Sequence, residues 1–219
     1  MTGSYGQGAD NILQAAIVTP NGDLITANEC QNEDIYWAIR GGGGNTFGVI
    51  VNMTMKAYPI PKMTFMGGDI AANNGTSTQD WWKFMAKYHA LIPSLQDQGA
   101  TGYYTIGGPP SSETISVGYS VFLWDASNAT VSSVRSTLQQ LISENSATVS
   151  GTVQIQPLTS LYELITSINI PGNAGGNGIT ASRLISREAV TEKEDLVADT
   201  LTKVGTQADA PPVRTTSFL

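Results

Sequence analysis

The chain has 219 residues, 41% of them hydrophobic and 8% aromatic, which is enough apolar material for one or two packed domains and excludes a disordered chain. Its formal net charge is −7 and its 11 Lys and Arg residues form no cluster, which excludes a phosphate-neutralising nucleic-acid surface. No apolar stretch approaches the roughly 18–20 residues of a membrane-spanning helix, and residues 1–6 have neither the basic nor the apolar segment of a signal peptide.

In chain order, Ile12, Leu13, Ala15, Ile17 and Val18 form an apolar run that ends at the turn signal Pro20-Asn21-Gly22. Leu24–Ala27 resumes as a returning strand, so the pair reads as a hairpin. Cys30, the sole cysteine, forms no internal disulfide or multi-cysteine metal site and is expected as a small buried hydrophobe. Asn32 fits a helix N-cap, with Glu33 and Asp34 in the first turn, Arg40 in the last and Gly41 as the stop. After Gly41–Gly44, the residues Phe47, Val49, Val51, Met53 and Met55 alternate with more polar ones and predict a half-buried strand of about ten residues. Tyr58-Pro59-Ile60-Pro61 ends it, because prolines cannot continue a ladder. This places a domain boundary between residues 1–57 and 58–219.

The second segment alternates helices and strands. Asp80–Leu91 reads as a helix with Trp81, Phe84, Met85 and Tyr88 on one face. Tyr103–Ile106 and Thr114–Trp124 read as strands flanking Gly107-Gly108-Pro109-Pro110, with Ile115, Val117, Tyr119, Val121 and Leu123 sharing a face. Val131–Glu144 is a second helix with Val134, Leu138, Leu141 and Ile142 inward. A strand follows at Val153–Gln156 and a short helix at Leu161–Ile168. Pro171–Gly178 reads as a mobile glycine-rich loop. Thr180–Ile185 is a further strand and Thr191–Val204 a third amphipathic helix. The pattern predicts an α+β architecture, an antiparallel sheet with helices on one side.

The glycine run is the most demanding local feature. A phosphate loop of the Walker type needs Gly-Lys-Ser/Thr at its end, and none is present. A Rossmann fingerprint needs a third Gly or Ala, yet that position is Thr46 or Phe47. Both loops also follow a strand and open a helix, whereas this run follows a helix and opens a strand. Two accounts stay open: a connector after a helix, or bare backbone pressed against a ligand or another strand. Four consecutive glycines lose much backbone entropy on ordering, which favours the second.

Gly6-Gln7-Gly8-Ala9-Asp10-Asn11-Ile12-Leu13, the Pro20-Asn21-Gly22 hairpin, Asn32–Arg40 and Gly41–Ile50 together resemble the second half of the FAD-binding (PCMH-type) domain of the vanillyl-alcohol oxidase superfamily. The similarity is to its berberine-bridge-enzyme-like branch, particularly the secreted fungal members. Order and spacing match throughout residues 5–57. Residues 58–219 resemble that family's substrate-binding domain more loosely, through element order and Ser182-Arg183-Leu184-Ile185.

The resemblance implies an oxidoreductase that passes a hydride from an organic substrate, a small molecule or carbohydrate, to FAD and then electrons to oxygen. It implies cofactor contacts at Gly6, Gly8, Asp10, Asn11 and Ile12 and, through main-chain atoms, at Gly48, Val49 and Ile50. Asp10 reads from its own surroundings as a turn-capping carboxylate rather than a proton acceptor. The family's histidine-bearing first subdomain would precede Met1, and its last segment would follow Leu219. The chain is therefore expected to be a fragment of a secreted enzyme, inactive alone, or alternatively a non-catalytic binding or scaffold protein. No catalytic base is assignable. His89, the sole histidine, is expected at a surface or partly buried helix position. Tyr103, Tyr104, Tyr119 and Trp124 fit either core packing or the substrate side of the flavin, and Arg183 fits either a substrate contact or an ion pair. The sequons at Asn52, Asn74 and Asn128 are glycosylation candidates.

Overall fold

The computed structural model describes residues 5–43, 46–59, 61–158, 160, 162–163, 183–206 and 215–218. The chain divides into two units, Met1–Pro59 and Ile60–Leu219. In the first, a 3₁₀ turn at Gly8–Asn11 leads into strand β1 (Ile12–Val18). The Pro20-Asn21-Gly22 turn returns the chain as β2 (Leu24–Asn28), antiparallel to β1 with Ala15 opposite Ala27. Helix α1 (Glu33–Ile39) follows, and β3 (Val49–Met55) lies along the other edge of β1, giving the order β2-β1-β3. Alternation carries Ala15, Ile17 and Ala27 to one face, where they are buried with Tyr36 and Ile39 of α1.

Three expectations are corrected in this unit. Asn32 stands at the start of α1 without capping it through its side chain. Its backbone is left-handed at φ 50°, and its Nδ2 donates to the Thr26 carbonyl at 2.7 Å, tying the helix start to β2. Strand β3 is seven residues long rather than about ten, and Val49, Val51, Met53 and Met55 are all exposed. A register shift at Ala16/Ile17 sets Ile50, rather than Val51, opposite Ile17. Of β3, only Ile50 joins the apolar cluster. Cys30 is exposed, because it lies in the turn after β2, where its N–H donates to Asn28 Oδ1 at 2.9 Å.

The second unit has the expected α+β build. Its elements are β4 (Met63–Ala72), α2 (Thr78–Asp97), β5 (Ala100–Gly107), β6 (Ser116–Trp124) and α3 (Asn128–Glu144). Then come β7 (Val149–Gly151), β8 (Gln154–Leu158), α4 (Arg187–Glu192), α5 (Glu194–Val204) and β9 (Thr215–Phe218). The strands pair antiparallel in the order β7-β4-β6-β5-β9, with β8 also on β4. Trp81, Trp82, Met85 and Tyr88 of α2, with Val134 and Leu138 of α3, pack on the face formed by Met66, Ile70, Tyr104, Val117, Tyr119 and Val121. Helix α5 lies against α2, with Gly205 so close to the Trp82 ring that a Cβ there would sit 1.9 Å from it.

Several boundaries move. Helix α2 runs past Leu91 and through Pro93 to Asp97, because Pro93 and Leu95 are buried and packing outweighs the lost helix bond. The predicted helix Thr191–Val204 is two helices, starting at Arg187 and breaking at Lys193 (φ −126°, ψ 43°). Residues 183–185 of the predicted strand Thr180–Ile185 have no regular structure and lead into Ser186, whose Oγ accepts the Ala189 N–H at 3.2 Å and caps α4. Residues 171–178 and 180–182, and all of 161–168 except 162–163, lie outside the described residues. Strands β4, β7 and β9 have no counterpart in the sequence reading.

Candidate functional site

Two places carry candidate chemistry, one in each unit. In the first, the turn before β1 is braced by its own side chains. Asp10 Oδ2 accepts the Gln7 N–H at 2.8 Å, so Asp10 is the capping carboxylate expected of it. Asn11 Nδ2 donates to the carbonyls of Tyr5 and Gln7, both at 2.9 Å, and its Oδ1 accepts the Tyr58 hydroxyl at 2.7 Å. Arg40 Nε donates to the Ala9 carbonyl at 3.1 Å while its guanidinium lies over the Tyr36 ring. Buried Ile12 anchors the turn, its carbonyl accepting the Tyr36 hydroxyl at 2.6 Å.

These bonds commit the side chains of Asp10 and Asn11 to the turn and leave its main chain as the surface on offer. Gly6 and Gly8 are exposed, and a Cβ at Gly8 would meet nothing within 4 Å. Internal packing therefore does not require glycine at position 8. Gly48 differs: its φ is 145° and a Cβ would sit 2.6 Å from the Val18 carbonyl oxygen, so the fold itself demands glycine there. The described part of the glycine run behaves like Gly48. Gly41 and Gly43 have positive φ, and a Cβ on Gly42 would sit 2.4 Å from the Ala38 carbonyl oxygen. For these three, helix exit and connector geometry account for the glycines without a ligand.

The two candidate groups are not brought together. Ile12 pairs with Met55 at one end of β1, and Val18 pairs with Val49 at the other. Six strand steps of about 3.3 Å each separate them by roughly 20 Å. Only an elongated ligand spans both.

The second place is the sheet face that α2 and α3 leave open. Phe65, Gly67 and Asp69 of β4 lie opposite Phe122, Ser120 and Gly118 of β6. On the other side of β4, Gln156 and Gln154 lie opposite Phe65 and Gly67. Between β7 and β8 the pairing lapses at Thr152 and Val153, yet the register resumes unshifted, since Ile70 faces Gly151 and Gly67 faces Gln154. At that lapse a cleft of about 550 Å³ opens, lined by Asp69, Ser120, Gln154 and Gln156 together with Gly67 and Gly118. The Phe65 ring lies over Gly67 and the Asp69 carboxylate over Gly118, where a Cβ would meet them at 2.7 and 3.0 Å. Tyr119 closes its base, with its hydroxyl donating to the Thr152 carbonyl at 2.8 Å. Burial, and then the charge of Asp69, push the Tyr119 phenol up, which keeps it a neutral donor. Beyond Phe65 the same face continues as an aromatic row, with Phe65 5.5 Å from Phe122 and Phe122 6.4 Å from Trp124.

The aromatics singled out in the sequence therefore divide by strand parity. Tyr104 and Tyr119 are core, whereas Tyr103 and Trp124 belong to the open face. His89 is buried in the core rather than near the surface, which corrects its expected position. Its Nδ1–H donates to the Met85 carbonyl at 2.5 Å, so Nε2 accepts from the Tyr104 hydroxyl. Burial holds its pKa below the ordinary histidine range, against the raising effect of the Met85 bond. Arg183 lies exposed before α4, and the three sequon asparagines are exposed. Sequence reading missed Asp69 because Gly67-Gly68 resembles a turn and hides β4. Its only signal was Thr64-Phe65-Met66 and Ile70 on either side.

No family model matches the chain. Over 193 residues it is 31% identical to an uncharacterised FAD-linked oxidoreductase of Arthroderma benhamiae, covering 84% of this chain and 32% of that protein. The crystal structure of the VAO-type flavoprotein MtVAO615 from Myceliophthora thermophila matches at a TM-score of 0.62 and 26% identity, over 92% of this chain and 36% of that one. A berberine bridge enzyme shares the fold at a TM-score of 0.52 and 17% identity, over 89% of this chain and 33% of that one. The chain thus spans about a third of the length of the proteins it matches.

Proposed function

Since the chain belongs to the VAO-type FAD-linked oxidoreductases, we propose that residues 1–57 are the C-terminal part of an FAD-binding domain and residues 58–219 most of a substrate domain. The whole protein is an oxidase acting on an organic substrate. Bound FAD supplies the hydride acceptor, with dioxygen as the final acceptor.

The observation that carries this reading is the braced turn before β1, where Gly8 leaves rigid main chain bare without any internal reason for glycine. Main-chain atoms at Gly6, Gly8, Asp10 and Asn11 hold one portion of the cofactor, and those at Gly48, Val49 and Ile50 hold another. An elongated dinucleotide suits two contact groups at opposite ends of one strand. Backbone N–H groups serve an anionic cofactor without basic side chains, so the chain's negative charge is no obstacle. Asp10, Asn11, Arg40 and Ile12 keep the turn in shape, which spares the complex the entropy of ordering it. The open face of the second unit's sheet holds the substrate.

Residues 1–219 by themselves bind FAD weakly and turn nothing over. Flavin-fluorescence titration of the purified chain and of Gly8→Val tests this. Weak, saturable quenching that is lowered severalfold in Gly8→Val is expected. No saturable quenching at millimolar FAD would sink the cofactor assignment, and stoichiometric binding with a shifted flavin spectrum would sink the claim that the piece is inactive alone.

A further inference from the structure

We propose, independently of the flavin reading, that the outer edge of β3 is where two copies of this chain join, β3 pairing antiparallel with its own counterpart about a two-fold axis at Met53. The edge is bare. Strand β3 ends its sheet, and among the described residues no hydrogen bond beyond the ladder to β1 reaches Val49–Met55. Its outward N–H and C=O groups therefore stand open as a template for another strand. The opposite edge of the sheet is occupied by the chain itself. On β2 the Thr26 carbonyl accepts from Asn32 Nδ2 at 2.7 Å, and Asn28 exchanges backbone bonds with Gln31. Strand β3 lacks that cover, and its seven residues include no charge, proline or glycine to discourage pairing.

The order of residues along the edge suits a second copy. The register shift at Ala16/Ile17 makes Val51 the extra residue, and from Asn52 to Met55 the strand is regular. Pairing about Met53 sets Met53 against the second copy's Met53, and Asn52 against its Thr54. Apolar then meets apolar on one face, and amide meets hydroxyl on the other. The apolar face already runs from Ala27 through Ala15 to Met53, and α1 buries the two alanines while leaving Met53 37% and Met55 49% exposed. Two-fold pairing continues that face through a six-stranded sheet and closes the methionines of both copies over the seam. Charge agrees. Each copy carries a net −7, so copies repel one another at large, whereas β3 is an uncharged strip followed by Lys56. A pair of short strands buries less than the roughly 1,200 Å² of a standard interface, so an affinity of about micromolar order is expected.

Sedimentation velocity of the full chain over a concentration series is the test, and a monomer–dimer equilibrium is expected. Met53→Lys, which sets two ammonium groups at the axis, is expected to weaken the dimer roughly tenfold or more. Two double variants check the register. Asn52→Lys with Thr54→Lys opposes like charges and weakens the dimer roughly tenfold, even though it lowers the net negative charge. Asn52→Lys with Thr54→Glu opposes unlike charges and keeps affinity within about threefold of the wild type. Leu24→Lys, at an exposed apolar position on β2, leaves the dimer unchanged. Circular dichroism confirms that each variant is folded. Open-ended assemblies in place of dimers, equal weakening by Leu24→Lys, or equal affinity of the two double variants overturns the proposal. A chain that stays monomeric throughout the series also overturns it and leaves the edge to a strand of another partner.

Discussion

Among the described residues, the first unit buries six apolar side chains in its cluster while leaving Trp37 81% and Leu24 68% exposed, whereas the second buries eighteen in one core. The two are held by different physics. In the second, the indoles of Trp81 and Trp82 are completely buried and neither N–H has a hydrogen-bond partner among the described residues, so bulk packing outweighs two unsatisfied donors. In the first, directional bonds set the shape: Tyr36 to Ile12, Arg40 to Ala9, and Asn11 to its own turn. A small core braced by polar bonds suits a loop that must stay exposed and still hold its form. A large core suits a sheet that must keep one face open.

The contrast predicts where substitutions act. The largest effect belongs to Trp82→Ala, which empties space between α2 and α5 and is expected to cost about 3–5 kcal/mol. Hydrogen exchange should show the loss in β4–β6 and α2 while β1–β3 keep their protection. Equal loss in both units would make them one cooperative block and break the comparison. Gly48→Ala comes next, at about 1–3 kcal/mol from a left-handed φ with a Cβ against the Val18 carbonyl. Here protection should fall in β1 and β3 alone.

The gentlest lever is pH. His89 is neutral in the fold with its pKa lowered by burial, so the unfolded chain binds the proton more readily. Stability is full above the unfolded value of about 6.5. It is lost as pH falls from there through the lowered folded value, by at most about 1.4 kcal/mol per pH unit. Melting temperature against pH should show this slope in the wild type and a shallower one in His89→Gln. Parallel slopes would mean that another group carries the acid sensitivity.

Much of this architecture was legible in advance where neighbours along the chain decide it. The Pro20-Asn21-Gly22 hairpin formed with its expected strands, since turn chemistry and alternation act within a few residues. The inward faces of α2 and β6 were likewise read correctly from period alone. The candidate site was less legible. The glycines at positions 6, 8 and 48 look alike in the sequence, yet one is demanded by a clash and another by nothing inside the chain. Asp69 was invisible, because two glycines precede it in its strand and its neighbours are distant in sequence, Gly118 on β6 and Thr152 between β7 and β8.

The sequence by itself determined the local elements, the α+β class and, through the motifs from Gly6 to Ile50, the flavoprotein family. Periodicity and turn signals are short-range properties that survive without knowledge of the fold. Only the tertiary structure decided that β3 turns Ile50 rather than Val51 toward the core, since a register shift belongs to a pair of strands and not to either one. It also placed His89 in the core against Tyr104 and gathered Asp69, Ser120 and Gln154 around one cleft. Those contacts join residues distant in sequence, and nothing local to any of them records the others.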